Sequence, residues 1–301
     1  MSATQFAGAY TALVTPFSGD GSQIDWPAYE RLVDAQLAGG ITGLVPCGTT
    51  GETPTLSDDE QRQLVERTVR LAKGKASVIV GTGSNSTKKT IESSVSALEA
   101  GADGVMIVMP YYNKPSQEGM VRHVELVAKS VRAPIVLYNI PGRTGVELSV
   151  ESLLRILEAC DNVVAIKDAT GNVLYCQELV RRAGDRISVL SGDDALTIPQ
   201  MSVGAKGVIS VTSNVYPRQI SECVADALAG RWDDARRKHL AMLPVHAALF
   251  MEPNPQPAKA ALALKGQMQP GVRAPLVEAS EACKKKLADV MAAYEAGREA
   301  S

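Results

Sequence analysis

The sequence has few of the side chains on which many enzymes depend. There are three histidines, and none forms a His-x-x-x-His or His-Glu-x-x-His arrangement. The five cysteines are scattered without a Cys-x-x-Cys pair, which argues against a disulfide framework and a thiolate zinc site. Only 4% of the residues are aromatic. We therefore expect reduced thiols, no metal ion, and chemistry that relies on other side chains.

A strong net charge and long apolar runs are lacking as well. The 31 basic and 33 acidic residues leave a formal net charge of −2, which gives no overall attraction to nucleic acid or anionic lipid. No apolar run approaches the roughly 20 residues of a membrane span, and the first residues lack the basic and apolar regions of a signal peptide. The sequence therefore predicts a cytoplasmic protein with no nucleic-acid or membrane partner and with a small neutral or anionic ligand.

Eight short β-branched apolar runs alternate with amphipathic stretches. This pattern predicts an α/β fold with a parallel sheet covered on both faces, and eight repeats favour a closed (β/α)₈ TIM barrel over an open doubly wound sheet. After about residue 225 the strands stop, and three helical stretches follow near 231–250, 256–265 and 276–297. We therefore divide the chain into a catalytic barrel, 1–225, and a small C-terminal helical region, 226–301. The predicted strands are Tyr10–Val14, Gly43–Cys47, Ser77–Gly81, Gly104–Met109, Pro134–Tyr138, Val163–Ile166, Ile187–Leu190 and Gly207–Val211.

Lys167 is the first candidate for a catalytic group. It directly follows the apolar run Val163–Ile166, at the strand end where TIM barrels carry their active groups. Desolvation there would disfavour the ammonium and lower the pKa of the amine, which can then attack a carbonyl. The alternative is an ordinary lysine at a strand end whose side chain points into water.

Other polar side chains fall at the same end of the predicted barrel. Tyr111, Tyr112 and Tyr138 lie at strand ends, where a phenol can pass protons, although packing alone is the alternative for each. The segment 48–51, Gly-Thr-Thr-Gly, offers hydroxyls and backbone amides to a small carboxylate, or else forms a plain tight turn. Arg143, between small residues, can bind a carboxylate bidentately.

Two further signals do not indicate a cofactor or a metal. Gly81-x-Gly83 lacks the third glycine of a dinucleotide-binding loop, and no Gly-x₄-Gly-Lys-Ser/Thr loop is present. Asp193 and Asp194 resemble a metal-binding pair, but we interpret them as loop caps.

Several loops occur together in a fixed order along nearly the whole chain. They are Gly48-Thr49-Thr50-Gly51-Glu52, the run 110–119, Tyr138-Asn139-Ile140-Pro141-Gly142-Arg143-Thr144-Gly145, the run 166–171, Leu190-Ser191-Gly192-Asp193-Asp194, the run 207–211 and Glu252-Pro253-Asn254-Pro255. In this combination the chain resembles the pyruvate-dependent lysine-Schiff-base lyases and synthases, and most closely the dihydrodipicolinate synthase family.

The resemblance implies a lyase of lysine and diaminopimelate biosynthesis. In that reaction Lys167 forms a Schiff base with pyruvate, and the derived enamine adds to L-aspartate semialdehyde to give 4-hydroxy-tetrahydrodipicolinate. No cofactor is implied, because the lysine itself is the electron sink.

The resemblance also implies a role for each of the remaining site residues. Tyr138 would donate and accept protons, and Thr49 and Tyr112 would complete a hydroxyl relay, with Tyr112 reaching into a neighbouring subunit of a homotetramer built as a dimer of dimers. Thr50 would hold the pyruvate carboxylate and Arg143 that of the semialdehyde. Backbone contacts to pyruvate or to the adduct would come from Gly192 and Ile209.

Two alternatives and one departure from the family follow from the same residues. A sister N-acetylneuraminate lyase or keto-deoxy sugar acid aldolase would share Lys167 and Tyr138, and a noncatalytic keto-acid-binding barrel is the remote alternative. Where lysine-inhibited members carry a histidine and a carboxylate, this sequence has Asp58, Gln61 and the pair 88–89, Lys-Lys. Since added lysines disfavour a cationic ligand, we expect weak or absent feedback by lysine.

Overall fold

Eight parallel strands close into a barrel in sequence order, as predicted. The computed structural model describes residues 6–299. Neighbouring strands pair along the chain, and the first strand also pairs with the last. The observed strand ends lie within two residues of the predicted ones. The strands are β1 Gly8–Ala12, β2 Gly43–Val45, β3 Ser77–Gly81, β4 Gly104–Val108, β5 Ile135–Asn139, β6 Val163–Asp168, β7 Ser188–Ser191 and β8 Gly207–Ser210.

Helices connect the strands and continue beyond the barrel. Within residues 6–299 they are α1 Trp26–Ala38, α2 Asp58–Ala72, α3 Thr87–Glu99, α4 Gln117–Ser130, α5 Pro141–Thr144, α6 Val150–Ala159, α7 Val173–Ala183, α8 Thr197–Ser202, α9 Pro217–Leu228, α10 Trp232–Ala248, α11 Gln256–Leu264 and α12 Glu281–Glu299. Helix α2 begins with a reciprocal capping box between Ser57 and Glu60. No helix of this described part has the length and apolar composition to cross a membrane.

The third C-terminal helix begins later than predicted, at Glu281 instead of near residue 276. Ser280 explains the difference, because its hydroxyl accepts a hydrogen bond from the Cys283 N–H, as an N-cap does. The Ser280 hydroxyl and N–H in turn donate to the carboxylate of Glu252. The helix start is therefore fixed by a contact with the segment between α10 and α11, which local sequence does not reveal.

The strands separate two apolar clusters. The larger cluster fills the space between the strands and the surrounding helices. The smaller one fills the barrel interior and includes Tyr10, Met106, Val136, Leu190 and Ile209. Side chains that point inward at the carboxyl end of the strands therefore pack against this interior apolar cluster.

One irregularity in the barrel changes which side chains point inward. In the pairing of β5 with β6, Ile135 lies opposite Val163, but Val136 lies opposite Ala165, so Val164 is an extra residue that forms a β-bulge. A shift of one residue reverses the face of every following side chain. Beyond the bulge, Lys167 lies opposite Tyr138.

Candidate active site

Lys167 and Tyr138 form the centre of the candidate site. Lys167 lies within β6, whereas the sequence placed it just after that strand, and only 5% of the residue is exposed. Its amine nitrogen, Nζ, lies 4.2 Å from the centroid of the Tyr138 ring. The barrel thus holds a buried primary amine against the face of a buried phenol.

Burial shifts the pKa of both groups. The pKa of Lys167 is lowered from 10.5 to about 8, mainly by desolvation, with an opposing effect of the Asp194 carboxylate and a smaller lowering by Arg143. Burial raises the pKa of Tyr138 to about 12, against the effects of Arg143 and of a hydrogen bond with Thr49. At pH 7 roughly a tenth of the lysine is therefore the neutral nucleophile, and the phenol keeps its proton.

Gly192, the residue after β7, leaves room for the lysine stem. A Cβ at this position would lie 2.7 Å from the Ala169 Cβ and 3.1 Å from the Cγ and Cε of Lys167. Ile209 in β8 is buried in the interior cluster that also contains Tyr138. Gly192 therefore lies beside the stem of Lys167 and Ile209 lies in the barrel interior, and the backbone contacts of both to a substrate stay predictions.

Thr49 and Thr50 lie in a 3₁₀ turn, Thr49–Gly51, rather than in an open nest of amides. The turn closes through bonds from the N–H groups of Gly51 and Glu52 to the carbonyls of Gly48 and Thr49. Thr49 lies near enough to Tyr138 to oppose the rise in the pKa of its phenol. Thr50 is buried, and its hydroxyl accepts a hydrogen bond from Nδ2 of Asn254 at 2.9 Å.

Arg143 and Tyr112 lie at the rim of the site. Arg143 is in the short helix α5, is exposed, and donates from Nη2 to the main-chain oxygen of Asn254 at 3.4 Å. Tyr112 has a positive φ of 72° and is 88% exposed, so a single chain leaves it at the surface. The loop is fixed beside it, because Nδ2 of Asn113 donates to the Asn85 carbonyl.

The two neighbouring aspartates cap loops, as predicted. Asp193 accepts from the Ala195 N–H at 2.9 Å. Asp194 is buried and accepts from the N–H groups of Val211 and Thr212 at 2.9 and 3.1 Å. Sequence reasoning missed that the same Asp194 carboxylate stabilises the charged form of Lys167.

A buried ion pair between Lys259 and Glu52 stabilises the end of the 3₁₀ turn. Nζ of Lys259 in α11 lies 2.5 Å from Oε1 of Glu52, and the exposed side-chain fractions are 0% and 1%. Lys259 also donates to the Gly271 carbonyl at 2.7 Å, and Oε2 of Glu52 accepts from the Arg273 N–H at 3.0 Å. The C-terminal region therefore holds the residue that follows the two threonines.

The residues considered for feedback by lysine also lie together. Asp58, Gln61, Lys88 and Lys89 line one cavity of about 450 Å³ between α2 and α3. Lys88 lies 3.7 Å from Glu92. The lining is thus mixed in charge and contains two ammonium groups.

Comparison with known proteins places the chain in a family. Residues 5–294 match the dihydrodipicolinate synthetase family. A 4-hydroxy-tetrahydrodipicolinate synthase of Sorangium cellulosum is 60% identical over the full length of both chains. A dihydrodipicolinate synthase structure from Thermotoga maritima aligns with a TM-score of 0.94 at 42% identity, covering 97% of this chain and 99% of that one.

A chloride-inhibited dihydrodipicolinate synthase from Acinetobacter baumannii, solved with pyruvate, gives a TM-score of 0.94 at 39% identity, covering 96% of this chain and 99% of that one. These similarities extend over the barrel and the C-terminal helices alike. The chain belongs to the dihydrodipicolinate synthetase family.

Proposed function

We propose that the chain condenses pyruvate with L-aspartate semialdehyde through a Schiff base on Lys167 and so catalyses a step of lysine and diaminopimelate biosynthesis. The observation that carries the proposal is the buried amine of Lys167, with its pKa lowered to about 8, beside Tyr138. The Sorangium relative is named for this reaction, and pyruvate is present in the structure of the Acinetobacter relative.

The first half of the reaction attaches pyruvate to the protein. The neutral amine of Lys167 attacks C2 of pyruvate, and the resulting carbinolamine loses its hydroxyl as water to give the Schiff base. Tyr138 supplies and takes back the protons, with Thr49 as the neighbouring hydroxyl of the relay. Thr50 holds the pyruvate carboxylate, and Gly192 and Ile209 contact the adduct through their backbone.

The second half joins the two substrates and frees the lysine. Loss of a proton from C3 of the adduct gives an enamine, whose C3 attacks the aldehyde carbon of the semialdehyde while Arg143 binds its carboxylate. The substrate amine then displaces Lys167 at C2 and closes the ring. One water molecule is released overall.

Turnover of the two substrates tests this function directly. Purified protein is mixed with pyruvate and L-aspartate semialdehyde, and pyruvate consumption is followed with formation of the cyclic product. We expect both to proceed together. Failure of product formation with retained borohydride trapping of pyruvate would move the assignment to the sugar-acid aldolases.

The assembly and the division of the chain are part of the same proposal. The protein acts in the cytoplasm as a homotetramer, a dimer of dimers, in which Tyr112 completes the partner's site. Its exposed position supports this role. The proposed division into a catalytic barrel, 1–225, and a C-terminal helical region, 226–301, places the boundary in the last turn of α9.

Mixing two inactive variants is expected to restore activity if Tyr112 acts across subunits. Tyr112→Phe removes a relay hydroxyl, with an expected loss of about 10²-fold. A mixed dimer with Lys167→Ala contains one intact site, so random re-pairing should restore about a quarter of the wild-type sites. The assay is turnover after the variants are mixed and subunits exchange. No gain on mixing, with exchange verified by mass spectrometry, would contradict the shared site.

The rate of Schiff-base formation should rise with pH up to about 8 and then level off, because only the neutral amine attacks. Initial rates of borohydride trapping of pyruvate on Lys167 measure this dependence. Arg143→Met should move the midpoint upward, since Arg143 lowers the pKa of the lysine. A midpoint near the ordinary lysine value of 10.5 in the unaltered protein would contradict the prediction.

Millimolar L-lysine is expected to leave turnover nearly unchanged, because the ammonium groups of Lys88 and Lys89 disfavour a cationic ligand in their cavity. The measurement is turnover at increasing lysine concentration, with potassium chloride at equal ionic strength as the control. Clear inhibition by lysine beyond that of the salt would show the prediction to be wrong.

A further inference from the structure

Asn254 contacts both groups to which a substrate carboxylate is assigned. It lies between α10 and α11, outside the barrel, and is nevertheless buried. Its side-chain Nδ2 donates to the Thr50 hydroxyl at 2.9 Å, and its main-chain oxygen accepts from Nη2 of Arg143 at 3.4 Å. Asn254 of the C-terminal region therefore connects the residue assigned to the pyruvate carboxylate with the one assigned to the semialdehyde carboxylate.

The Thr50 contact has a direction that matters for anion binding. A threonine hydroxyl has one hydrogen to donate and lone pairs to accept with. Because the Asn254 amide donates to this oxygen, the hydroxyl hydrogen remains available to an anion. The amide oxygen of Asn254 is buried and has no hydrogen-bond partner among residues 6–299. Leaving a buried acceptor unpaired costs free energy. An asparagine kept at this position for packing alone would therefore be unfavourable, which points to a role for its amide group.

We propose that Asn254 is a positioning residue for pyruvate, whose side chain turns the Thr50 hydroxyl toward the substrate carboxylate. Its main-chain oxygen separately supports Arg143. The inference rests on the function proposed above and assigns separate roles to two parts of Asn254. The side chain acts through Thr50 on pyruvate, and the main-chain oxygen acts through Arg143 on the semialdehyde.

Two substitutions of Asn254 separate these contributions. Asn254→Ala removes the donor, and Asn254→Asp replaces it with an acceptor of the same shape that draws the Thr50 hydrogen away from the substrate. We expect KM for pyruvate to rise about tenfold in Asn254→Ala, the effect of one lost hydrogen bond to a charged group, and further in Asn254→Asp. The kcat and the KM for the semialdehyde should stay within about twofold, since the main-chain oxygen remains in place.

A second substitution tests whether the effect passes through Thr50. Thr50→Val removes the hydroxyl, and Asn254→Ala should then add no further change in KM for pyruvate. Asn162→Ala is the matched control, since its Nδ2 bonds the carbonyls of Ala128 and Val131 at the other end of the barrel. It should lower thermal stability without changing either KM.

The outcomes are distinguishable from failure of the proposed function. Borohydride trapping in the unaltered protein comes first, and no pyruvate adduct on Lys167 would reject the function itself. If the adduct forms, an unchanged KM for pyruvate in both Asn254 variants overturns the inference alone. Equal rises in the KM of both substrates, or full additivity with Thr50→Val, overturn it as well. If Asn254→Ala does not fold, Asn254→Asp decides by the same measurements.

Discussion

Replacing Lys167 by alanine is expected to lower turnover by about 10³-fold or more, because the covalent nucleophile is lost. The loss should appear in kcat rather than in thermal stability. Removing a buried amine with a lowered pKa takes away a group that is unfavourable to bury, so the variant should fold at least as well as the unaltered protein.

The chain provides a matched control for this prediction. Among residues 6–299, Lys259 is a second lysine that is almost fully buried with a pKa lowered to about 8. The Lys259 amine donates hydrogen bonds to Glu52 and to the Gly271 carbonyl. The Lys167 amine instead lies over the Tyr138 ring in the barrel interior. Borohydride with pyruvate should therefore label the peptide that contains Lys167 and leave the Lys259 peptide unlabelled. Labelling of both lysines, or full turnover by Lys167→Ala, would reject the assignment of the nucleophile.

The substitution Lys259→Met is expected to lower the free energy of unfolding by about 3–5 kcal/mol. It leaves the Glu52 carboxylate buried without its cation, and Glu52 has a side chain only 1% exposed. Urea denaturation measures the loss. The surface pair Arg155 and Glu118, 2.8 Å apart and largely exposed, provides the control, since Arg155→Met should change stability by about 1 kcal/mol or less.

A double substitution shows whether the loss comes from the unpaired charge. Glu52→Gln removes the orphaned carboxylate, so the combination with Lys259→Met should be more stable than Lys259→Met alone. If Lys259→Met is as stable as the unaltered protein, the buried pair does not contribute as described. Turnover measured at low temperature, where Lys259→Met stays folded, is an independent test of the pair. Glu52 directly follows the turn that carries Thr49 and Thr50, so loss of the pair should lower turnover as well as stability.

The barrel and much of the candidate site could be predicted because they depend on local patterns. Apolar runs of strand length alternate with capped helices, and the carboxyl ends of parallel strands meet at one face. The strand-end pattern points to Lys167, Tyr138 and Thr49, and in the structure Lys167 lies against the Tyr138 ring with Thr49 near the phenol. Their roles in turnover stay predictions for the experiments above.

Contacts between distant parts of the chain could not be predicted in the same way. The bonds from Asn254 to Thr50 and from Lys259 to Glu52 each join residues more than two hundred positions apart. No local periodicity encodes such a pair. The sequence offers an asparagine between two prolines and a lysine in a largely apolar helix, and both signals are ambiguous until the helical region is placed against the barrel.

The bulge at Val164 makes the register of β6 more important for Lys167 than the apolar composition of the strand. Strand pairing uses backbone groups, so many apolar residues can replace Val163, Ala165 or Ile166 while the barrel stays closed. If the bulge were straightened with no residue removed, Ile166 would lie opposite Tyr138 and the amine of Lys167 would turn toward the helices. In descendants of this chain, loss of one residue from the bulge should therefore leave Lys167 opposite Tyr138, whereas an insertion between the bulge and the lysine should turn the amine outward.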